Sequence, residues 1–482
     1  MIADLKPYAA YKDSGLAWLG QVPGHWDVKP AFGAFVPNRE RNLGMREKTV
    51  LSLSYGRIVI KPPEKLHGLV PESFETYQIV NPGDIVVRTT DLQNDHTSLR
   101  IGMVRNRGII TSAYLALRLQ GGMSPDFGFK FLSVWDASKA IYGYGSGLRQ
   151  SLGFSDFNRM PVAVPPPEEQ AAIVLFLDWA NARLERTIRA KRRVIALLTE
   201  QKQAIIHRAV TRGLDPTVPL KPSGIAWLGD IPAHWELWRI SRFARVGNGS
   251  TPSRANSGYW NGGTYPWLNS SQVNRGFINS ADQFVTSTAL RECHLPRVQA
   301  GSLLVAITGQ GKTRGMSAVL GFEATINQHI AYVSPRVPVT NSEYLHLFFT
   351  AAYLQLRAAS EDSGSTKGAI TCEDLKRFKI AVPPLAEQVA IQSFVDSETL
   401  ALNTAISHLN REIDLLREYR TRLVADMVTG KLDVRAAAAA LPQDELQSAL
   451  EPDALDAADL GDEGDDSDDT ANGDELDGDG EA

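Results

Sequence analysis

The amino-acid sequence predicts an α+β protein with two pseudo-repeated, mixed α/β domains separated by two long helices that pair as an antiparallel coiled coil. Three observations predict this class: an internal repeat with a period above 200 residues, heptad spacing of apolar residues in two segments, and a strongly acidic C-terminal tail. The predicted boundaries are 1–165 and 214–382 for the mixed domains, 166–213 and 383–435 for the helical segments, and 436–482 for a disordered acidic tail.

The repeat is clearest at the two ends of each copy, and the stretches between these ends diverge. The matching segments are Ser-Gly-Leu-Ala-Trp-Leu-Gly at 14–20 and Ser-Gly-Ile-Ala-Trp-Leu-Gly at 223–229, Pro-x-His-Trp at 23–26 and 232–235, Val-Ala-Val-Pro-Pro at 162–166 and Ile-Ala-Val-Pro-Pro at 380–384, and Glu-Gln at 169–170 and 387–388. The sequence thus predicts a common scaffold around two variable domains. A period this long excludes solenoid repeats of roughly 20–50 residues.

The variable domains carry a mostly β pattern. Short β-branched runs at 78–87, 109–119 and 303–308 are separated by Gly, Pro and Asn, which favours strands joined by turns. The sequence does not determine the order of these strands in a sheet.

A long helical stretch follows each Pro-Pro pair, over 168–211 and 386–430. Proline favours the start of a helix, and Gly213 and Gly430 are typical stops. Heptad spacing predicts that the following residues pair the two helices: Leu177, Leu184, Ile188, Ile195, Leu198, Ile205, Val395, Leu402, Ile406, Leu409, Ile413, Leu416 and Leu423. The alternative is that each amphipathic helix packs only on its own domain.

The net charge of −5 is a sum over two unlike parts of the chain. Residues 441–482 contain 17 of the 55 Asp and Glu residues and no Lys or Arg, so the remainder has 50 basic and 38 acidic side chains and a charge of +12. A basic body with an acidic tail is typical of a protein that binds a polyanion.

Composition and motifs argue against several other classes. Two cysteines, Cys293 and Cys372, cannot build a disulfide scaffold or a cysteine-rich zinc site. No signal-peptide pattern is found, and no apolar run reaches the ~18 residues of a membrane helix, so we expect a cytoplasmic protein. We predict no metal site and no catalytic residue, and we interpret His25 and His234 as parts of structural turns.

Two glycine-rich segments resemble cofactor loops. Gly-Gln-Gly-Lys-Thr at 309–313 resembles the end of a phosphate-binding loop, but Ala306 stands where the first glycine belongs and no helix pattern follows. Gly-Tyr-Gly-Ser-Gly at 143–147 does not begin a βαβ unit. Both departures argue against a nucleotide site, and a nucleotide-binding enzyme that uses 309–313 is kept as the alternative function.

Arg, Asn and Gln side chains read base edges, whereas Lys, Ser and Thr more often hold phosphates. On this basis the candidate DNA-binding residues are Arg88, Thr89, Thr90, Arg100, Arg105, Arg107, Arg149, Ser250, Thr251, Arg254, Asn269, Ser270, Ser271, Gln272, Asn274, Arg275, Gln310, Lys312, Arg314 and Lys367. A solvated surface is the competing interpretation for many of them.

The duplicated Val-Pro-Pro and Glu-Gln segments before long helices, with the repeated Trp-Leu-Gly and Pro-x-His-Trp segments, resemble the specificity subunits of type I restriction–modification systems (the HsdS family). Gly-Ser-Thr-Pro-Ser-Arg at 249–254, with Tyr-Trp at 259–260 and Pro-Trp-Leu at 266–268, is similar to one class of target recognition domain. Leu-Ser-Leu-Ser at 51–54 with Gly-Asp-Ile-Val at 83–86 is similar to another. The resemblance covers about residues 8–435.

This resemblance implies a non-catalytic subunit that binds double-stranded DNA. Each target recognition domain would read one half of a bipartite, asymmetric site, and the helices would set the gap and dock two methyltransferase subunits. S-adenosylmethionine, ATP and Mg²⁺ are expected on those subunits and on restriction–translocase subunits, not on this chain. A coiled-coil scaffold without DNA recognition is a further alternative. The acidic tail departs from the family pattern; it either solubilises the chain or competes with DNA for the basic body.

Overall fold

The computed structural model describes residues 5–62, 73–90, 92, 99–144, 151–309, 311–336, 340–361 and 368–442. The described chain forms two compact units: unit 1 contains the described residues of 5–190 and 412–442, and unit 2 contains those of 191–411. This division cuts both long helices, whereas the predicted boundaries kept each helix as a separate segment. Among the described residues, no helix combines the length and apolarity needed to cross a membrane.

The N-terminal part of unit 1 begins with short strands and ends within the first long helix. Its strands are β1 Tyr11–Asp13, β2 Gln21–Pro23, β3 Asp27–Pro30, β4 Phe35–Pro37, β5 Leu51–Ser54, β6 Arg57–Ile60, β7 Gln78–Val80, β8 Ile85–Val87, β9 Ile101–Met103, β10 Gly108–Ile110, β11 Leu115–Leu119 and β12 Pro161–Val164. Its helices are α1 Pro125–Ala137, α2 Phe154–Phe157 and the start of α3 Pro167–Arg212. The predicted strand runs at 78–87 and 109–119 are each split in two by a turn.

An antiparallel sheet in the order β4-β11-β8-β9 is the centre of unit 1. Helix α1 contributes Phe127, Phe131 and Trp135 to the same core as Ile85 and Leu117 of the sheet. All five side chains are fully buried. Large aromatic side chains from one helix face therefore join α1 to the sheet.

Unit 2 has the same number of described strands as unit 1 and more helices. Its strands are β13 Leu220–Pro222, β14 Asp230–Pro232, β15 Glu236–Arg239, β16 Ala244–Asn248, β17 Tyr265–Leu268, β18 Phe277–Ile278, β19 Gln283–Val285, β20 Leu303–Ala306, β21 Ser317–Leu320, β22 Thr325–Ile326, β23 Ile330–Pro335 and β24 Lys379–Val382. Its helices are α4 Ile240–Phe243, α5 Ser287–Glu292, α6 Ser342–Ala351, α7 Tyr353–Glu361, α8 Cys372–Arg377 and part of α9 Leu385–Val428. The helix α10, Arg435–Ala439, lies in unit 1.

The central sheet of unit 2 has the order β16-β23-β20-β21-β18. The first three pairs are antiparallel, as in the order β4-β11-β8-β9 of unit 1. Helix α6 adds the buried Tyr344 and Phe348 to the core formed with Leu303 and Val333. Each unit thus has a four-strand antiparallel arrangement covered by one helix, and unit 2 adds β18 at one side.

Both long helices begin and end where the sequence predicts. Helix α3 starts directly after Pro165-Pro166, and α9 starts after Pro383-Pro384. Gly213 and Gly430 follow their ends with φ angles of 70° and 76°, a left-handed conformation that favours glycine. At Gly430 a Cβ would also collide with Pro23. Six of the thirteen predicted pairing residues are buried, and the other seven are half-buried.

The repeated Glu-Gln segment joins the start of each long helix to the Pro-x-His-Trp turn. Glu169 accepts hydrogen bonds from Trp26 Nε1 at 2.9 Å and Tyr8 OH at 2.5 Å, and lies 2.7 Å from His25 Nε2. In unit 2, Glu387 accepts from Trp235 Nε1 at 3.0 Å and lies 2.8 Å from the His234 ring. The interpretation of both histidines as structural is consistent with these contacts.

The glutamine next to each of these glutamates makes a second set of hydrogen bonds, which also occurs in both units. Gln170 Oε1 accepts from the backbone N–H of Ser124, the residue that caps α1, and its Nε2 donates to the Pro165 carbonyl. Gln388 makes the same two bonds with Asn341, which caps α6, and with Pro383. Both glutamine side chains are buried. Each Glu-Gln pair therefore fixes the long helix, the turn and the sheet-covering helix of its unit together.

The first and last described segments of the chain meet within unit 1. Lys6 forms an isolated antiparallel bridge with Asp433, and Tyr11 OH donates to the Lys431 carbonyl at 3.2 Å. Ala438 and Leu441 are buried in the unit 1 core. The predicted tail boundary at 436 was therefore wrong, because residues up to Leu441 supply apolar surface to this core. Residues 443–482 lie outside the described part of the chain.

Candidate nucleic-acid interface

Several strands of unit 2 end or begin at one edge of the fold. Asn248 at the end of β16 pairs with Ala331, and Ala306 at the end of β20 pairs with Ile330, so both strands end where β23 begins. Leu268 at the end of β17 lies beside the end of β22. The segments that leave these strand ends are 249–254, 269–275 (which includes the 3-10 helix Ser270–Arg275), 307–309 with 311–313, and 327–329, and we call them the loop edge of unit 2.

This edge collects most of the candidate DNA-binding residues of the second half, although up to 62 positions separate them in the sequence. Those placed on its loops are Ser250, Thr251, Arg254, Asn269, Ser270, Ser271, Gln272, Asn274, Arg275 and Lys312. Gln310 belongs to the same stretch but lies outside the described residues, as do Arg149 and Lys367. The position of the loops at shared strand ends explains why separate polar segments converge.

Arg254 is held against aromatic rings at this edge. Its guanidinium carbon lies 3.8 Å from the ring centroid of Trp260 and 5.2 Å from that of Trp267. Arg254 Nη2 donates to Gln283 Oε1 at 2.7 Å. The side chain is nevertheless exposed, so a preoriented cation faces solvent.

Two of the candidate DNA-binding residues of unit 2 point into the fold rather than toward solvent. Arg314 is 5% exposed, and its Nη1 donates to the Gly368 carbonyl at 2.6 Å. Gln272 is 3% exposed and donates to Asp282, which also pairs with Arg275 at 3.3 Å. The expectation that Arg314 and Gln272 contact DNA is wrong for this conformation, because the fold already surrounds both side chains.

The corresponding edge of unit 1 carries fewer of the predicted residues. Val87 at the end of β8 pairs with Leu115 at the start of β11, so the loops 88–90 and 111–114 lie together. Arg88 and Thr90 are half-buried there, and the buried Thr89 donates to the Ala113 carbonyl at 3.2 Å. We call these two loops the loop edge of unit 1.

Of the remaining arginine candidates of unit 1, the three that the structure describes do not join this edge as exposed groups. Arg100 is fully buried; its Nη1 donates to the Thr90 carbonyl at 2.9 Å, so its predicted role in DNA binding is wrong for this conformation. Arg105 and Arg107 follow β9 at the opposite end of the sheet. There they lie 3.7 Å from Asp126 and 3.4 Å from Glu47. Burial raises the pKa of the nearby Asp84 carboxyl, and the positive charge of Arg118 partly opposes this rise.

Sequence reasoning missed the turn at 327–329. Gln328 and His329 are exposed at the loop edge of unit 2, next to Thr251 and Thr308. The sequence signal was available as Asn-Gln-His between two β-branched runs. The contacts of this turn with residues 21 and 77 positions away could not be predicted from sequence spacing.

The structure argues against the alternative that residues 309–313 belong to a phosphate-binding loop. Residues 317–320 form strand β21, so the segment that follows Thr313 leads into a strand rather than a helix. Arg357 donates to the Gly311 carbonyl and Tyr353 OH to the Lys312 carbonyl, which fixes this loop on α7. In the described part of the chain, no group of three or more His, Cys, Asp or Glu residues is arranged to hold a metal ion.

Comparisons with known proteins define the class of this fold. Residues 232–414, which include most of unit 2, match the family model described as "Type I restriction modification DNA specificity domain". The chain is 27% identical over 295 residues to the EcoR124I/EcoR124II specificity subunit of Escherichia coli, covering 59% of this chain and 67% of that protein. It is 29% identical over 167 residues to the MjaIX specificity subunit of Methanocaldococcus jannaschii, covering 34% and 38%.

A solved chain from a study of complex assembly and conformational transition of the type I R-M system has the same fold. Its TM-score is 0.55 at 16% identity, covering 84% of this chain and 98% of that chain. Residues 232–414 thus match a type I restriction modification DNA specificity domain, and the chain is similar to specificity subunits of type I restriction enzymes.

Proposed function

We propose that this chain is the non-catalytic subunit that selects the DNA sequence for a type I restriction–modification complex. Each unit would read one half of a bipartite, asymmetric site through its loop edge. The observation that carries this proposal is the convergence of four polar loops at one edge of unit 2, with Arg254 preoriented and exposed among them. Arginine is the side chain that most often reads guanine in the major groove.

The two long helices would set the gap between the half-sites. Support comes from contacts within each unit: in unit 1, Arg420 of α9 pairs with Glu185 of α3, and in unit 2, Lys202 of α3 donates to Asn403 of α9 at 2.8 Å. At 1.5 Å per residue, the 46 residues of α3 measure about 69 Å. Such a length suits a spacer between two recognition domains.

The same helices would dock two methyltransferase subunits. Their exposed apolar side chains support this, since apolar surface on a helix is often covered by a partner; these are Val194, Leu197, Leu400 and Leu415. The methyltransferase and restriction–translocase subunits would bring S-adenosylmethionine, ATP and Mg²⁺, and the assembly would act on DNA in the cytoplasm.

Arg254→Ala tests the loop edge of unit 2. We expect roughly tenfold or greater weakening of sequence-specific DNA binding by the full chain, because one desolvated arginine contact is worth about 1–3 kcal/mol. Arg242→Ala is the matched control. Arg242 is also exposed and lies 3.8 Å from the Trp238 ring centroid, but it precedes β16 at the opposite edge.

Equal effects of the two substitutions on specific binding would contradict the assignment of this edge. A methylation map from cells that make the chain with its methyltransferase subunits provides the second readout. Exchange of residues 30–155 for another variable domain should alter one half-site only, and an unchanged map would contradict the proposal for unit 1.

A further inference from the structure

The turn at 327–329 is unusually well anchored for an exposed loop. The backbone N–H of Asn327 donates to the Leu268 carbonyl, and its buried side chain accepts from the His329 N–H at 3.0 Å. The His329 carbonyl accepts from Ile307 N at 2.9 Å. Bonds from β17 and from the end of β20 thus fix the backbone on both sides of Gln328.

The loop after β16 also packs on this turn. Ser250 N donates to the Ile326 carbonyl at 3.1 Å. Gly249 permits this approach, because a Cβ at Gly249 would collide with the Ile326 carbonyl. The side chain of Thr251 is thereby brought to Gln328.

The side chains around Gln328 form a hydrogen-bond chain with one consistent direction. Thr251 Oγ1 donates to Gln328 Oε1 at 2.5 Å. Gln328 Nε2 lies 3.2 Å from His329 Nε2, and an amide nitrogen can only donate, so that ring nitrogen accepts. His329 Nδ1 then carries the proton and donates to Thr308 Oγ1 at 2.7 Å.

In this arrangement the Gln328 amide oxygen faces Thr251 and the amide nitrogen faces His329. An amide oxygen can accept two hydrogen bonds, and an amide nitrogen can donate two. Among the described residues, Thr251 uses one acceptor position and His329 uses one donor position. One acceptor and one donor remain on a side chain that is exposed at the loop edge.

We propose that Gln328 reads an adenine in the major groove, with Thr251 and His329 as positioning residues. Adenine presents N7 as an acceptor and N6–H as a donor there, which match the remaining N–H and oxygen of a glutamine amide. This inference rests on the proposed function, since it assigns one base contact to the loop edge of unit 2. Fixing the amide in advance lowers the entropy lost on binding.

The test is selection from a random DNA library by the full chain, followed by sequencing of the bound fraction. The unsubstituted chain should select an adenine at one position that Gln328→Ala relaxes, with preference falling roughly tenfold to a hundredfold and other positions unchanged. Gln328→Glu should shift that position toward cytosine, whose N4 amino group donates to a carboxylate. Thr251→Val should weaken the same preference in part, because it releases the amide oxygen.

Gln299→Ala is the matched control. Gln299 is exposed and hydrogen-bonded to Glu323 at 2.7 Å, but it precedes β20 at the opposite edge. An identical selected sequence from the Gln328 variants would overturn the inference while leaving DNA recognition intact. A chain that selects no sequence at all would instead overturn the proposed function, so the two failures are distinguishable.

Discussion

At the residue scale, the same side-chain type has opposite roles in different places. Arg254 lies exposed against two tryptophans, whereas Arg100 is fully buried and bonded to backbone carbonyls. Residue type made both arginines candidate DNA-binding residues. It failed for Arg100 because the sequence around that position does not show that Asp136 and Tyr142 surround it.

Glu169 is expected to be the more important of the two repeated glutamates for stability. Its side chain is 4% exposed against 26% for Glu387, and it has Tyr8 as an additional donor. Glu169→Ala should destabilise unit 1 by about 2–4 kcal/mol, because it leaves buried donors unpaired. Urea denaturation of the full chain measures this loss.

Glu168→Ala is the control for this substitution, since Glu168 is the exposed neighbour on the same helix turn. Glu387→Ala should have an effect smaller than that of Glu169→Ala. Equal stability of the Glu168 and Glu169 variants would show that the hydrogen bonds contribute little.

His346 should make unit 2 sensitive to acid. Burial, together with the charge of Lys202, lowers the pKa of His346 to about 4, and its Nδ1 lies 2.9 Å from Ser317 Oγ. The unfolded chain binds this proton near pH 6.5, so stability is present above that pH and is lost as pH falls toward 4. About 2 kcal/mol should be lost by pH 5.

His346→Gln should therefore reduce the fall in Tm between about pH 7.5 and pH 5, whatever its effect at neutral pH. His408→Gln, at an exposed position of α9, should leave the pH dependence unchanged. The same fall in Tm for the His346 variant and the unsubstituted chain would contradict the assignment.

At the element scale, local signals predicted the long helices well. Proline pairs marked both starts and glycines marked both ends, since these residues act on backbone geometry alone. The order of strands was not predictable, because pairing joins segments such as β4 and β11 that lie about 80 residues apart. The convergence of loops at one edge depends on the strand order, so it could not be predicted from the sequence either.

The spacer role of α3 and α9 predicts a change in the accepted gap when both are lengthened. A heptad inserted between Ala196 and Leu197 of α3 and another between Leu409 and Asn410 of α9 keep the apolar repeat in register. Each insertion adds about 10 Å of helix. A methylation map should then show half-sites separated by about three more base pairs.

Insertion into α3 alone is the control, and it should abolish recognition because the apolar positions of the two helices no longer match. A double-insertion variant that methylates sites with the original gap would contradict the spacer proposal.

At the scale of the whole molecule, the charge of −5 conceals a body of +12 and a tail of −17. The tail hypothesis predicts that truncation after Pro442 strengthens non-specific DNA binding at about 50 mM salt. The gain should shrink at about 200 mM salt, because counterion release weakens with salt. Equal affinities of the truncated and full chains at low salt would contradict competition by the tail.

Composition and the repeat predicted the α+β class, but they did not predict the division of the chain into units. Sequence boundaries assigned each segment to one domain, whereas unit 1 includes residues from both ends of the described chain. Contacts such as Lys6 with Asp433 span more than 400 positions and leave no local signal in the sequence.

The union of early and late segments in unit 1 also has a consequence for synthesis on the ribosome. Residues 191–411, which make up the described part of unit 2, have emerged before the last residues of unit 1 are made. The apolar surface that awaits Leu423 and Met427 stays uncovered during that interval. The described residues of unit 2 are thus all available for folding before unit 1 is complete, and a chain that terminates before residue 412 leaves apolar surface of its N-terminal half uncovered and prone to aggregation.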